Sequence, residues 1–204
     1  MNKIKTTLLV ALFIAGASQL ASAQAQFAVG IKGGLNFANL DVKGSASSNY
    51  KNRTGYHAGA FALVKFGFIG IQPELLFSKQ GTKFTANATD YEANFDYINV
   101  PIMFKFYMPL GLNLQAGPQF GFLTTGDLKA KTSGVTTTSD AKNFYKSNDT
   151  SLALGLGWDL PFGLTVDARY NLGLSKINDG VNNNETKNKV FQVSVGYKLF
   201  KFGK

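Results

Sequence analysis

Cysteine is absent from the 204 residues, which excludes disulfides, thiolate metal sites and a cysteine nucleophile. Histidine occurs once, at His57, so no His-x-x-x-His pair exists for zinc, and no metal or cofactor site is expected. Long apolar runs are also missing beyond the N-terminus. Residues 8–17 alone are continuously small and apolar, short of the about 20 that a spanning helix needs. With Lys3 and Lys5 before that run and Ala21-Ser22-Ala23 after it, residues 1–23 read as a secretory signal peptide and 24–204 as one mature domain. Removing the two lysines of that segment leaves +7 of the formal +9. The bases are scattered, apart from Lys129, Lys131, Lys142 and Lys146 in one polar stretch. An exported chain of this kind has no expected nucleic-acid partner, but that stretch suits the phosphates of lipopolysaccharide.

What the chain has in quantity is period-two alternation, the signature of strands with two unlike faces. Leu164, Val166, Ala168, Tyr170, Leu172 and Leu174 interleave with Thr165, Asp167, Arg169, Asn171, Gly173 and Ser175. The same pattern recurs near 27–37, 56–66, 69–78, 98–107, 112–122, 152–160 and 191–199, predicting eight strands. The segment 56–66 is the least regular, because Phe61 and Leu63 share a face with His57, Gly59 and Lys65. In 69–78, Leu76 falls on the polar face.

Connections alternate in length. Short glycine- or proline-bearing turns sit at Gly67, Pro109–Gly111 and Pro161–Gly163, and longer polar loops at 40–54, 80–94, 125–150 and 176–188. That is an all-β, eight-stranded antiparallel up-and-down transmembrane barrel, with short periplasmic turns, long outer loops and both mature termini periplasmic. The apolar face is bulky and the other is glycine, serine, asparagine and glutamine with isolated charges. A narrow lumen wants small and polar groups, whereas lipid accepts bulky apolar ones. A soluble ligand-binding barrel, the alternative, would carry lysine and glutamate outside. The expected location is therefore the outer membrane of a Gram-negative cell.

Several stretches resemble the PorT-type outer-membrane β-barrel domain family. They are Pro73-Glu74-Leu75-Leu76-Phe77-Ser78, Tyr97-Ile98-Asn99-Val100-Pro101-Ile102, Gly117-Pro118-Gln119-Phe120-Gly121, Ala168-Arg169-Tyr170-Asn171-Leu172-Gly173-Leu174 and Val195-Gly196-Tyr197-Lys198. The resemblance runs from about Phe27 to Phe200 and implies a small barrel embedded in the outer membrane, mostly without an assigned activity. One member of that family takes part in a protein-secretion and gliding system.

By parity the lumen receives Lys32, His57, Lys65, Glu74, Lys105, Asp159, Asp167, Arg169 and Lys198. Buried charges must pair, and a network of Lys32, Glu74, Lys105, Asp167 and Arg169 is expected. It would act as a polar plug or, since bases outnumber acids, as a narrow anion-preferring pore. Phe66, Phe106, Trp158 and Tyr197 lie near the short-turn ends, where an interfacial aromatic belt would sit. A catalytic His57 would need a nucleophile and an orienting partner beside it, and no catalysis is expected. Function is then left to the loops, which carry recognition more often than strands do, with outer-membrane lipid and a protein partner as the expected contacts.

Overall fold

In the computed structural model the described residues are 25–42, 51–86, 89–132, 135–140, 148–175 and 186–203. The segment read as a signal peptide lies outside them, as do most of 176–188 and the middle of 40–54. Strands β1 (Gln26–Val42), β2 (Lys51–Phe66), β3 (Ile69–Ala86), β4 (Thr89–Tyr107), β5 (Leu112–Thr132), β7 (Asn148–Asp159), β8 (Leu164–Gly173) and β9 (Thr186–Phe202) each pair antiparallel with the next. Pairing of β1 with β9 closes the ring. These are the eight staves expected from the alternation.

The alternation reads out directly in burial. Along β7 the exposed positions Leu154, Leu156 and Trp158 alternate with the buried Ala153, Gly157 and Asp159. On β3, Ile69, Ile71, Leu75 and Phe77 face outward while Gln72, Glu74, Leu76 and Ser78 face inward. From Ile69 to Phe77 the strand advances about 26 Å, which at the tilt of such barrels is an apolar belt about 20 Å tall. Just above it the first outward charges appear, with Lys79 Nζ 3.6 Å from Asp96 Oδ2. Outward aromatics meet across strands at both edges of the belt: Phe27 with Phe202 and Phe68 with Phe106 at the turn end, Phe37 with Phe191 and Tyr56 with Phe77 at the loop end.

The turns follow from their residues. Leu110 and Gly111 both take positive φ, 65° and 82°. A glycine accepts that conformation freely, and a Cβ on Gly111 would run into the Asp159 carbonyl.

The expected loop bounds need correction: the described ends of 40–54 belong to β1 and β2, and the described end of 176–188 to β9. The stretch 80–94 is not a loop: β3 continues to Ala86 and β4 begins at Thr89. The stretch 125–150 likewise holds the end of β5, a ninth strand β6 (Val135–Asp140) and the start of β7. Apolar alternation marks only the part of a strand that touches lipid. Above the belt the outer face meets water instead of lipid and loses its apolar signal, while inside Ala93, Phe95 and Tyr97 pack with Leu123, and oppositely charged residues stand in register across the strands. Glu92 stands opposite Lys83 on one side and Lys129 on the other. A bulge at Thr124, whose hydroxyl donates to the Asp96 carbonyl at 2.8 Å, resets the facing of β5 as it leaves the belt.

The irregular residues of the sequence also find their reason. Phe61, Leu63 and Leu76 are buried inside the barrel with Ala28 and Met103, so the lumen wall is apolar in part. The ring of Phe61 occupies the space a Cβ on Gly30 would take. Replacing the outward Leu154 by arginine is expected to destabilise the barrel by about 2–4 kcal/mol in vesicles, because it sits within the lipid belt. Arginine at the exposed Thr137 of β6 is expected to change stability little. Urea unfolding in lipid vesicles checks both, and equal small effects would contradict a lipid-facing belt at β7.

Candidate functional site: the filled lumen

Seven of the charges that parity places inside meet as one connected set with Gln72, Asn113 and Gln115. Arg169 on β8 donates through Nη1 to Glu74 Oε2 at 2.8 Å and through Nη2 to Glu74 Oε1 at 2.6 Å. This two-pronged pair crosses the barrel from β8 to β3, and such geometry suits a planar guanidinium on a carboxylate. Lys32 on β1 donates to Asp167 Oδ2 at 2.8 Å and lies 3.4 Å from Glu74 Oε1. Gln72 and Gln115 fill the remaining positions: Gln72 donates to Glu74 at 2.7 Å, and Gln115 accepts from Arg169 Nε at 3.0 Å while donating to Asp167.

Asp159 gathers a second group nearer the turn end. It accepts from Lys198 at 2.8 Å, the Tyr107 hydroxyl at 2.9 Å, Asn113 at 3.2 Å and Lys105 at 3.3 Å. Lys105 also lies 3.9 Å from Asp167, which joins the two groups. The structure thus brings Lys32, Glu74, Lys105, Asp167 and Arg169 together, and adds Lys198 and Asp159, whose partners only the register across the sheet reveals. At these ionic side chains, relative exposure is 5% or less. Four bases face three acids.

Glycine makes room for these long side chains. A Cβ on Gly157 would overlap Gln115 Nε2 and stand 2.6 Å from Asn113 Oδ1 and 2.7 Å from Asp167 Oδ1. A Cβ on Gly196 would stand 2.7 Å from Thr165 Oγ1 and 3.1 Å from Lys32 Cβ. Alternating small and large residues fill a narrow barrel in this way.

Toward the loop end lies a separate, neutral group. His57 Nδ1 lies 2.8 Å from Asn36 Oδ1 and Nε2 lies 2.8 Å from Ser194 Oγ. Asn36 turns its amide nitrogen to the Tyr56 and Lys79 carbonyls, so its oxygen accepts the Nδ1 proton and Nε2 is left to accept from Ser194. Serine, imidazole and orienting amide therefore stand in the order of a hydrolase triad. Access is what the group lacks, since Asn36, His57 and Ser194 are at most 2% exposed. Gln192 occupies the space beside them, donating to Asn36 Oδ1 at 2.9 Å and accepting from Asn171 at 2.7 Å. Above, Ala93, Phe95, Tyr97 and Leu123 form an apolar cap. Among the described residues no group of acidic, histidine or cysteine side chains could hold a metal ion.

The remaining named residues point outward: Phe66, Phe106, Trp158 and Tyr197 are each about half exposed. Trp158 Nε1 donates to the Leu110 carbonyl at 3.0 Å, tying the outer face to the Pro109–Gly111 turn.

An apolar skin around a polar, charge-filled interior defines an integral outer-membrane β-barrel protein. The chain belongs to the outer membrane protein beta-barrel domain family, whose model matches residues 17–179. No curated protein matches it. Among solved structures, neisserial surface protein A is similar with a TM-score of 0.50 at 13% identity, over 84% of this chain and 97% of that one. Ail, the attachment invasion locus protein of Yersinia pestis, in complex with the heparin analogue sucrose octasulfate, gives a TM-score of 0.49 at 19% identity over 87% and 99%. The outer membrane protein OprG from Pseudomonas aeruginosa gives 0.43 at 12% identity over 88% and 96%. At such identities the likeness to neisserial surface protein A is one of fold.

Glu74→Gln leaves Arg169 and Lys32 without their shared carboxylate and is expected to cost about 3–5 kcal/mol in urea unfolding. The double variant with Arg169→Gln is expected to recover part of that loss. A single variant as stable as the parent would contradict a buried pair. Separately, folded protein treated with a fluorophosphonate probe is expected to stay unlabelled at Ser194, and an adduct there would show that the serine is reachable.

Proposed function

We propose that this is a PorT-type barrel whose lumen is a structural plug and whose working surface is the strand extension outside the membrane, where it binds a protein partner. The single observation that carries the reading is β6. It pairs with β5 from Asp127–Asp140 to Thr132–Val135, and no described strand takes its other edge. Such an edge is a template for a further strand, which proteins usually blunt with lysine or proline. Here the exposed Thr136, Thr137, Thr138 and Ser139 carry neither. Below it, β3, β4 and β5 continue past the belt as one sheet, which supports the edge at a fixed height above the lipid.

An even number of staves sends both mature termini to the turn side, read as periplasmic, after removal of residues 1–23. The extension then stands at the cell surface, where the exposed Lys129 and Lys131 of β5 meet lipopolysaccharide phosphates. The paired charges of the lumen and its apolar cap favour a plug over a pore, and the closed Ser194–His57–Asn36 group favours a non-catalytic role.

A photo-crosslinking residue at Thr137 is expected to give one discrete adduct in intact cells, lost when β6 is replaced by a short glycine-serine turn with the barrel still folded. No discrete adduct, or one that survives the replacement, would overturn the partner reading. In planar bilayers the parent protein is expected to show no steady conductance, and open channels would overturn the plug.

A further inference from the structure

A cavity of about 550 Å³ opens at the turn end of the barrel. It straddles the rim, because its lining takes the inward-facing Lys65, Tyr107 and Lys198 together with the outward-facing Trp158 and, from the turns, Leu110 and Leu160. Lys201, near the end of β9, completes it.

The charges of this cavity do not balance. Its one acid, Asp159, is already saturated by Lys198, Lys105, the Tyr107 hydroxyl and Asn113. Lys65 holds its ammonium 4.1 Å above the Tyr107 ring, and neither it nor Lys201 has a carboxylate within ion-pair distance among the described residues. Two cations thus line a space with ample room for an anionic group of a few oxygen atoms. The lining also includes the apolar Leu110, Leu160 and Trp158, and Trp158 stands opposite Leu112 and two residues from Leu156, both exposed on the outer belt. A ligand that satisfies both halves has a phosphate at one end and an apolar chain at the other.

We propose that this rim is a binding site for the phosphate of an anionic phospholipid in the leaflet at the turn end. Lys65 and Lys201 hold the phosphate, Tyr107 positions Lys65, and the acyl chains lie over Trp158 and the belt. The proposal rests on the barrel spanning a bilayer, but not on which side of the outer membrane the turns face.

Trp158 is the single tryptophan, so its fluorescence reports on this rim alone. The protein is refolded into phosphatidylcholine vesicles containing a minor fraction of brominated phosphatidylglycerol, or the same fraction of brominated phosphatidylcholine. A band shift between boiled and unboiled samples on a denaturing gel confirms folding in each case. Stronger quenching by the anionic lipid is expected, with a preference that falls roughly fivefold for each lysine removed in Lys65→Gln and Lys201→Gln, the weight of one base near an anionic surface. Equal quenching by both lipids in folded protein would overturn the proposal, as would a preference that survives the double variant. Inorganic phosphate that shifts Trp158 emission in pure phosphatidylcholine, with no preference for the brominated anionic lipid, would place a soluble anion there and overturn the lipid assignment. Absence of the band shift would instead count against the membrane barrel itself.

Discussion

Backbone hydrogen bonding in lipid is the constraint on which this molecule depends. A strand edge exposed to hydrocarbon leaves amides and carbonyls without partners, so a sheet can cross a membrane only when it closes on itself. The β1–β9 pairing, continuous from Phe27–Phe202 to Val42–Thr186 apart from one bulge, provides that closure. Closure at eight staves then sets the width of the interior, and the width decides which side chains can enter. Glycine at 157 and 196 is needed where glutamine, aspartate and lysine cross the axis, and Phe61 lies over Gly30 for the same reason.

Charges in that interior lose their water and must find one another. Arg169 and Glu74 do so across the barrel, and Lys32, Asp167 and Lys105 link that pair to the group around Asp159. The pairs join β1, β3, β4, β7, β8 and β9, strands far apart in the chain, so the network also specifies which strands belong together. It leaves no unbalanced acid to attract a cation path. At the turn end the surplus is basic, and the rim cavity is where that surplus becomes available to a ligand.

Much of this was legible in the residues because lipid imposes a simple rule. Outside the barrel every second position must be apolar, and Leu164 to Leu174 or Phe191 to Leu199 obey that rule without reference to any other strand. The inner face obeys a different one. Leu76, Phe61 and Leu63 look like errors of alternation until the lumen is seen to carry an apolar wall beside Met103 and Ala28. Parity alone could send Asp159 and Lys198 inward, but not show that they meet each other, since the chain separates them by 39 positions and only the register through β8 aligns them. Above the belt the rule disappears. Water in place of lipid removes the outward apolar signal, and so β6 and the upper parts of β3, β4 and β5 read as loop although they pair as strands.

A lumen closed by paired ions is the central claim, and side-chain proton exchange at Arg169 tests it most directly. Arg169 is one of only two arginines, so its Nε–H resonance is separable by NMR of the protein in micelles. A bond held to Gln115 and shielded by Glu74 is expected to exchange far more slowly than the Nε–H of a free arginine in the same micelles. Exchange of Arg169 at the rate of a free guanidinium would mean that water runs through the barrel, and the plug would have to be abandoned for a channel.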